Sequence, residues 1–315
     1  MATSRKECNE KVKRIIKKRT LNEYILFLFR KGYFNLLSDK HYLKLLFRLK
    51  MGYKLNLKNL NTFNEKLQWL KLYNRNPEYG IMADKLSVKH YVANSIGEQY
   101  IIPTLGVWEK FDDIDFRSLP DQFVLKCTHD SGGLVICKDK DTLDIAASKK
   151  KIERALKRNF YKRWREWPYK DVPRKIIAEK YITDSPTDKD LTDYKFFCFN
   201  GIVDCVMIAI ERSTGEPKFY FFDNDWKLLR LNVRGKNAPP DFTLPKPKCI
   251  DEMFRIAEVL SKGIPFVRVD LYQSNDKVYF GEMTFFPQSG FDSNLLPETD
   301  LYFGELIDIK EAKSK

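Results

Sequence analysis

"VRVDLYQSNDKVYFGEMT", residues 267–284, decides the fold. Two apolar strands flank a polar turn, Ser274-Asn275-Asp276-Lys277, the pattern of a β-hairpin. Arg268, Asp270 and Glu282 lie inside those strands. A carboxylate in a strand core is costly unless something pairs with it. Strand alternation puts Phe266, Arg268, Asp270 and Tyr272 on one face, and Val278, Phe280, Glu282 and Thr284 on one face of the return strand. A three-residue loop, Asn275-Asp276-Lys277, sets Asp270 opposite Glu282 and Arg268 opposite Thr284. A two-residue loop sends the two acids to opposite faces, so the register decides the chemistry. Opposed carboxylates would lie roughly 5 Å apart and repel. A divalent cation relieves that repulsion, and hard oxygen donors suit Mg²⁺, usually shared with phosphates. The competing reading pairs Asp270 only with Arg268 or a distant lysine.

Other strands lie upstream of this hairpin. "FVLKCTHDSGG" reads as a strand that carries Lys126 into a loop with Ser131, Gly132 and Gly133. Glycines allow close backbone approach, and successive N–H groups can form an anion nest. A tight hairpin turn also needs glycine, and no G-x-x-x-x-G-K-[ST] is present. "LVICKD" returns, so 123–138 forms a hairpin. "RKIIAEKYI" is a strand ending in Glu179 and Lys180, where a charge is ordinary. "DYKFFCFNGIVDCVMIAIER" turns at Asn200-Gly201, a strong hairpin signal, and carries Asp193, Lys195 and Arg212. "KFYFFDNDWKLL" suggests another strand pair. Its Asp223 and Asp225 form a D-x-D triplet of the kind found in metal-dependent sugar-nucleotide enzymes; an Asp-Asn-Asp turn explains it better.

Helical signals fall between the strands. Thr62 with Glu65 forms a capping box before "KLQWLKLY". "MADKLSVKHYVANSIG", residues 142–163 and "DEMFRIAEVLSKG" also read as helices. The class is α+β with mostly antiparallel strands.

Composition sets the outer bounds. The 315 residues are 43% hydrophobic and 14% aromatic, enough apolar mass to bury a sizeable core. Six scattered cysteines without a C-x-x-C fit reduced core thiols of a cytosolic protein. Three histidines without paired spacing argue against zinc. "MATSRKECNEKVKRIIKKRT" lacks the apolar stretch of a secretory signal, and "YILFLF" is too short to span a bilayer.

The net charge of +13 is unevenly placed. Residues 1–60 hold 16 Lys and Arg against 4 Asp and Glu, and the remainder is near neutral. Within this region Leu21, Tyr24, Ile25, Leu28 and Phe29, then Tyr42, Leu45, Leu46 and Leu49, follow helical spacing. One reading is a helical cap with a solvated basic face. The other is a surface resting on anionic lipid or acidic polysaccharide. No nucleic-acid recognition motif is present. "KIERALKRNFYKRWREWPYK", 151–170, carries 8 basic and 2 acidic residues with aromatics interleaved. It fits either a sugar-stacking, carboxylate-attracting surface or a basic helix with a Trp-anchored turn.

Taken in order, Lys85, Lys126, the glycine loop, Glu179-Lys180, Lys195, Arg212, Arg268, Asp270 and Glu282 resemble the ATP-grasp superfamily over residues 80–290. There a nucleotide is held between two antiparallel sheets. The resemblance implies that Lys85 and Lys126 contact ATP and that Ser131, Gly132 and Gly133 close over its phosphates. It implies that Lys180, Tyr181 and Ile182 offer backbone contacts to adenine, with Glu179 near the base amino group. Lys195 and Arg212 would face phosphate or substrate, Arg268 would steady an oxyanion, and Asp270 and Glu282 would hold Mg²⁺.

A closer resemblance covers nearly all of 60–308. "FNEKLQWLKLY", "IPTLGVW", "FVLKCTHDSGG", "REWPYK", "DYKFFCFNG", "PFVRVDLY" and "FGEMTFFPQSG" resemble the TupA-like ATP-grasp family, associated with teichuronopeptide and capsular polysaccharide synthesis. That implies an ATP-dependent carboxylate–amine ligase in the cytoplasm or at the inner face of the membrane. Its partners would be an acidic polysaccharide or lipid-linked glycan and an amine or amino acid. A glycosyltransferase, a sugar kinase and a non-catalytic glycan-binding protein are the alternatives. Two departures stand out. Thr284 occupies the place where most such ligases carry an Asn metal ligand, so Thr284, Gln288 or water would complete the shell. A short basic helical region replaces the usual N-terminal substrate domain. The expected organisation is 1–60 basic helical region, 61–120 helix and strand segment, 121–190 small subdomain and 191–315 large subdomain with the metal hairpin.

Overall fold

The hairpins foreseen in the sequence assemble into two antiparallel sheets in the computed structural model, which describes residues 21–183, 191–211 and 214–309. The smaller contains β1 (Thr104–Trp108), β2 (Phe123–Cys127), β3 (Leu134–Cys137) and β4 (Ile176–Lys180), in the order β1-β4-β2-β3. Strand β1 lies upstream of residue 120 yet pairs with β4, so the small sheet draws on the 61–120 segment. The larger sheet contains β5 (Asp193–Phe199), β6 (Ile202–Ile210), β7 (Lys218–Phe222), β8 (Leu228–Leu229), β9 (Phe266–Ser274) and β10 (Lys277–Thr284), in the order β10-β9-β5-β6-β7-β8. Asn200 and Gly201 both adopt positive φ in the β5–β6 turn, as a two-residue hairpin requires.

The helices cover these sheets and join them. A helix runs through 21–31 (α1), followed by α2 (Asp39–Met51), α3 (Phe63–Tyr73), α4 (Glu78–Ala83) and α5 (Val88–Ile96). The capping box at the start of α3 is complete: Thr62 accepts from the Glu65 N–H, and Glu65 reaches back to the Thr62 N–H. "MADKLSVKHYVANSIG" is two helices, broken at Asp84, whose carboxylate takes the Leu86 N–H and the Ser87 hydroxyl. Such local bonding favours a turn over a continuous helix.

Residues 142–163 divide likewise into α6 (Ile145–Leu156) and α7 (Phe160–Trp164), because Asn159 caps α7 at the Lys162 N–H. Buried Ile152 and Ala155 seat α6 on β2 and β3. After the short α8 (Val233–Lys236), α9 (Ile250–Ser261) places Met253, Ile256, Ala257 and Leu260 against β5, β6 and β9. Finally α10 (Pro297–Leu306) packs on α3.

Helices α1 and α2 close a third apolar cluster with Phe291. Tyr42, Leu43, Leu46 and Phe47 bury the inner face of α2. In α1 only Phe29 of the expected stripe is buried; Leu21 and Tyr24 are exposed. The Asp223–Asp225 triplet is a turn: Asp223 accepts the Lys227 N–H, and Asp225 pairs with the Lys227 ammonium. That geometry is the Asp-Asn-Asp turn expected from the sequence. Cys127, Cys137, Cys198 and Cys205 are buried free thiols and Cys249 is half-buried; Cys8 lies outside the described residues. Among the described residues no helix is long and apolar enough to cross a membrane.

Candidate active site

The β9–β10 hairpin reaches the expected opposition by an unexpected route. Its loop has two residues, Asn275 and Asp276, both at positive φ, with Ser274 paired to Lys277. That register alone would separate the acids. Between Phe280 and Glu282 the register shifts by a β-bulge at Gly281, and from there Glu282 faces Asp270 and Thr284 faces Arg268. The bulge needs glycine. A Cβ on Gly281 would fall 2.8 Å from Tyr272 Cε2 and 2.9 Å from the Asp270 carbonyl oxygen.

Cations crowd these acids. Arg268 clamps Asp270 through two bonds, Nε to Oδ1 at 2.6 Å and Nη2 to Oδ2 at 2.7 Å. Lys195, opposite Asp270 on β5, bridges Asp270 Oδ2 at 2.6 Å and Asp193 Oδ2 at 2.5 Å. Asp270 is thus ion-paired with both Arg268 and Lys195. Burial pushes the Asp270 carboxyl upward, against the pull of Arg268 and Lys195. Burial lowers the Arg268 guanidinium, but Asp270 and Glu282 outweigh it and hold the group above its usual range.

Glu282 is 35% accessible and more loosely held: Lys85 lies 3.7 Å away and Arg268 3.5 Å away. Desolvation raises its carboxyl, but Lys85, Arg268, Lys195 and Lys126 bring it down to about 2. Thr284 Oγ1 accepts from Arg268 at 3.1 Å and donates to Glu282 Oε1 at 3.3 Å.

The small sheet contributes a second ionic knot. Glu179 on β4 is buried between Lys126 and Lys89, each 2.5 Å away. Its carboxyl, raised by desolvation, is held below its usual value by these two lysines. Lys89 also donates to the Ile102 carbonyl and Thr104 Oγ1, both at 2.7 Å. Lys126 is thus bound to Glu179 rather than standing free, and Lys89 is a site cation that the sequence reading missed. The available signal was spacing: Lys89 follows Lys85 by four residues.

Lys85 joins the two halves. It sits in the α4–α5 turn, where its Nζ donates to the Asp130 carbonyl at 2.8 Å and faces Glu282 across the site. In the glycine loop, Gly132 has φ 141°. The Gly133 N–H is already donated to Asp130 Oδ1 at 2.7 Å, so Gly133 does not contribute to an open nest. A Cβ there would meet Cys127 Sγ at 2.6 Å and Ala155 Cβ at 2.7 Å, so this glycine serves close packing. Ser131 and Gly132 are exposed at the loop tip.

At the end of β4 the Lys180 N–H is likewise spent, on the Pro103 carbonyl at 3.0 Å. Tyr181 and Ile182 line a cavity of about 390 Å³ that also touches Ser274 and Tyr279 near the hairpin turn. Arg212 lies outside the described residues.

A further support lies behind the site. In the 287–290 turn, Gln288, Ser289 and Gly290 all have positive φ. Helix α3 holds this turn: Gln68 Nε2 donates to the Gly290 carbonyl, and fully buried Lys71 donates to the Ser289 carbonyl at 2.6 Å, the Trp164 carbonyl at 3.1 Å and Gln68 Oε1 at 3.1 Å. The aromatic set of 151–170 largely turns inward as well. Tyr161 bonds Asp39, and Trp164 packs near Phe291, as the Trp-anchored reading expected.

Two antiparallel sheets, joined through Lys85 and carrying lysines opposite a carboxylate hairpin, define the ATP-grasp architecture. The chain belongs to the TupA-like ATP-grasp family, whose model matches residues 65–308. No curated protein sequence matches it significantly. Among solved structures it is distantly similar to D-alanine–D-alanine ligase from Bacillus anthracis, at 18% identity and TM-score 0.43, covering 74% of this chain and 67% of that one. The enzyme of the same name from Helicobacter pylori shows 12% identity and TM-score 0.42, covering 81% and 66%. The ATP-grasp ligase PsnB, complexed with a precursor variant, Mg and ADP, shows 11% identity and TM-score 0.42, covering 79% and 66%. The chain thus spans about two thirds of the length of these proteins.

Proposed function

We propose that the protein is an ATP-dependent carboxylate–amine ligase of surface polysaccharide biosynthesis. The observation that carries this reading is the bulged hairpin, which sets Asp270 opposite Glu282 beneath Lys85, Lys195 and Arg268. The donor set fits Mg²⁺. Asp270 accepts three N–H bonds from Arg268 and Lys195, which leaves about one of its four lone-pair sites. Glu282 is open to solvent on one side, and the Thr284 hydroxyl lies beside it. These are hard oxygens, too few for a closed protein cage and suited to an ion shared with phosphates. Asp270 and Glu282 would hold the ion, which when bound neutralises charge developing on a transferred phosphoryl group.

The remaining roles belong to side chains. Lys85 and Lys126 bind the triphosphate, Lys126 exchanging its hold on Glu179 for phosphate oxygens. Ser131 and Gly132, at the exposed loop tip, cover it and exclude water. Tyr181 and Ile182 border the space for the base. A substrate carboxylate attacks the γ-phosphate and ADP leaves, which gives an acyl phosphate. An amine then attacks the acyl carbon, phosphate leaves, and the amine proton passes to solvent or the departing phosphate. Arg268 steadies the oxyanion between these steps, a role worth about 3–4 kcal/mol where measured. The carboxylate belongs to a uronic acid of a glycan or to an amino acid.

Mass spectrometry of an incubation with ATP, Mg²⁺, a uronic-acid glycan and a panel of amines tests this. The expected products are ADP, phosphate and a glycan heavier by the amine minus water. A phosphorylated glycan would identify a kinase and overturn the ligase reading.

A further inference from the structure

Beside the glycine loop runs a groove that, apart from Ser131 at its end, takes no part in nucleotide binding as proposed. Its walls come from distant parts of the chain: the end of α1 and the break between α6 and α7. Asn159 caps α7 and turns the chain there, so that Lys157-Arg158 before it and Lys162-Arg163 after it line the same cavity. Arg30 and Lys31 line the opposite wall. The cavity measures about 430 Å³. A second of about 270 Å³ shares Phe29, Arg30, Arg163 and Trp164 with it and adds Lys50. The two form one path, which ends at Ser131 of the glycine loop.

Among the described residues no acidic side chain lines this path. Among the described cations that line it, only Arg158 has an ion pair, with Asp130 at 3.1 Å. The other cations face one another. Arg163 is lowered by burial and then by Arg158 and Arg30, and Lys50 by burial and then by Arg163 and Arg30. The fold holds like charges together where, among the described residues, Asp130 is the one protein anion that pairs with any of them. Arginine forks match carboxylates bidentately, and spaced cations suit a chain with repeating negative charge.

We infer that this groove binds the acceptor, a run of carboxylate-bearing sugars of an acidic glycan that enters at Lys50, crosses Lys162 and Arg163, and presents its end at Ser131. The inference rests on the ligase reading, to which it adds the acceptor's seat. Concavity disfavours a flat bilayer as the occupant. Lys50 and Arg163 lie 5.0 and 4.9 Å from the Trp164 ring centroid, covering the face that a nucleic-acid base would need.

The test uses the full chain and calorimetry with an oligogalacturonate hexamer. The comparison variant is Lys157→Glu/Lys162→Glu, two exposed residues whose replacement leaves the core untouched. Wild type should bind the hexamer with salt-dependent affinity and ignore a neutral dextran hexamer. The variant should bind the hexamer about tenfold or more weakly, while affinity for a non-hydrolysable ATP analogue stays unchanged. Equal hexamer affinity in both proteins overturns the inference. So does groove-dependent binding of phosphatidylglycerol vesicles or of single-stranded oligonucleotide in preference to the hexamer. If ATP fails to bind but the variant still loses the hexamer, the ligase reading falls and the groove stands.

Discussion

Replacing Gly281 by valine tests the device on which the site's register depends. The hairpin loop has two residues, so an unbulged ladder would set Gly281 against Asp270 and Glu282 against Val269. Glu282 would then enter the face where Val269 is fully buried. An unpaired carboxylate there costs several kcal/mol, so the chain cannot escape by slipping register. It must keep the bulge and absorb the side chain. Two contacts resist: the Tyr272 ring at 2.8 Å and the Asp270 carbonyl at 2.9 Å. The ring, half-exposed, can rotate; the carbonyl moves only with the backbone that carries the Asp270 carboxylate. Overpacking of this kind costs about 1–3 kcal/mol. At roughly 2–4 °C per kcal/mol for a large domain, Gly281→Val should melt about 2–12 °C lower, and Mg²⁺-dependent nucleotide affinity should fall further than stability explains. Deleting Gly281 should be milder, because Phe280 and Glu282 then oppose Leu271 and Asp270 in an ordinary ladder. Thermal melts by circular dichroism and calorimetry with an ATP analogue measure both effects. Wild-type melting and affinity in Gly281→Val, or greater damage from the deletion, would refute the reasoning.

Three further outcomes are expected. Asp270→Asn and Glu282→Gln should each abolish ATP-dependent turnover with the fold retained by circular dichroism; full activity in both rules out their proposed role. Glu179→Gln leaves Lys89 and Lys126 facing each other, and a broken buried pair costs about 3–5 kcal/mol; partial exposure of both lysines puts the expectation near 3 kcal/mol by urea denaturation. Because the folded carboxyl is held below its usual 4.5, this stabilisation is complete above that pH and fades as pH falls through the folded value; a difference between variant and wild type that persists undiminished in strong acid contradicts the ionic account. Lys71→Met strips the Ser289 and Trp164 carbonyls of a buried donor, at about 1–3 kcal/mol for each unsatisfied group. Hydrogen exchange should rise at 286–291, and unchanged protection there would show that the turn holds itself.

Caps and turns are legible within a few residues of sequence, whereas helix breaks and pairings between distant residues are not. The Thr62–Glu65 box and the Asn200-Gly201 turn are written within a few residues, and both are present. The opposition of Asp270 to Glu282, expected from a three-residue loop, is reached instead by a two-residue loop with a bulge. A three-residue loop and a two-residue loop with a bulge both oppose Asp270 to Glu282, and only the small residue at 281 separates them. Gly133 looked like part of a phosphate nest, but Cys127 and Ala155 claim its space and Asp130 its N–H. The Lys180 N–H, within the stretch expected to offer backbone contacts to adenine, is held by the Pro103 carbonyl that β1 brings alongside. From the strand alone Glu179 reads as an ordinary strand-end charge, and by resemblance as a neighbour of the base amino group; its pairing with Lys89 and Lys126, far off in the chain, is not legible.

Those distant pairings reveal the logic of the site. Five cations, Lys85, Lys89, Lys126, Lys195 and Arg268, gather with four carboxylates, Asp193, Glu179, Asp270 and Glu282, so the cluster carries a surplus of one positive charge. Unneutralised, five cations at this spacing would repel by several kcal/mol in a medium of effective dielectric about 20. The acids make the gathering tolerable and fix each ammonium at a defined point before any ligand arrives. The basic groove beside it has, among the described residues, a single such pair, Arg158 with Asp130, and that contrast separates a site organised for chemistry from one left charged for a partner to neutralise.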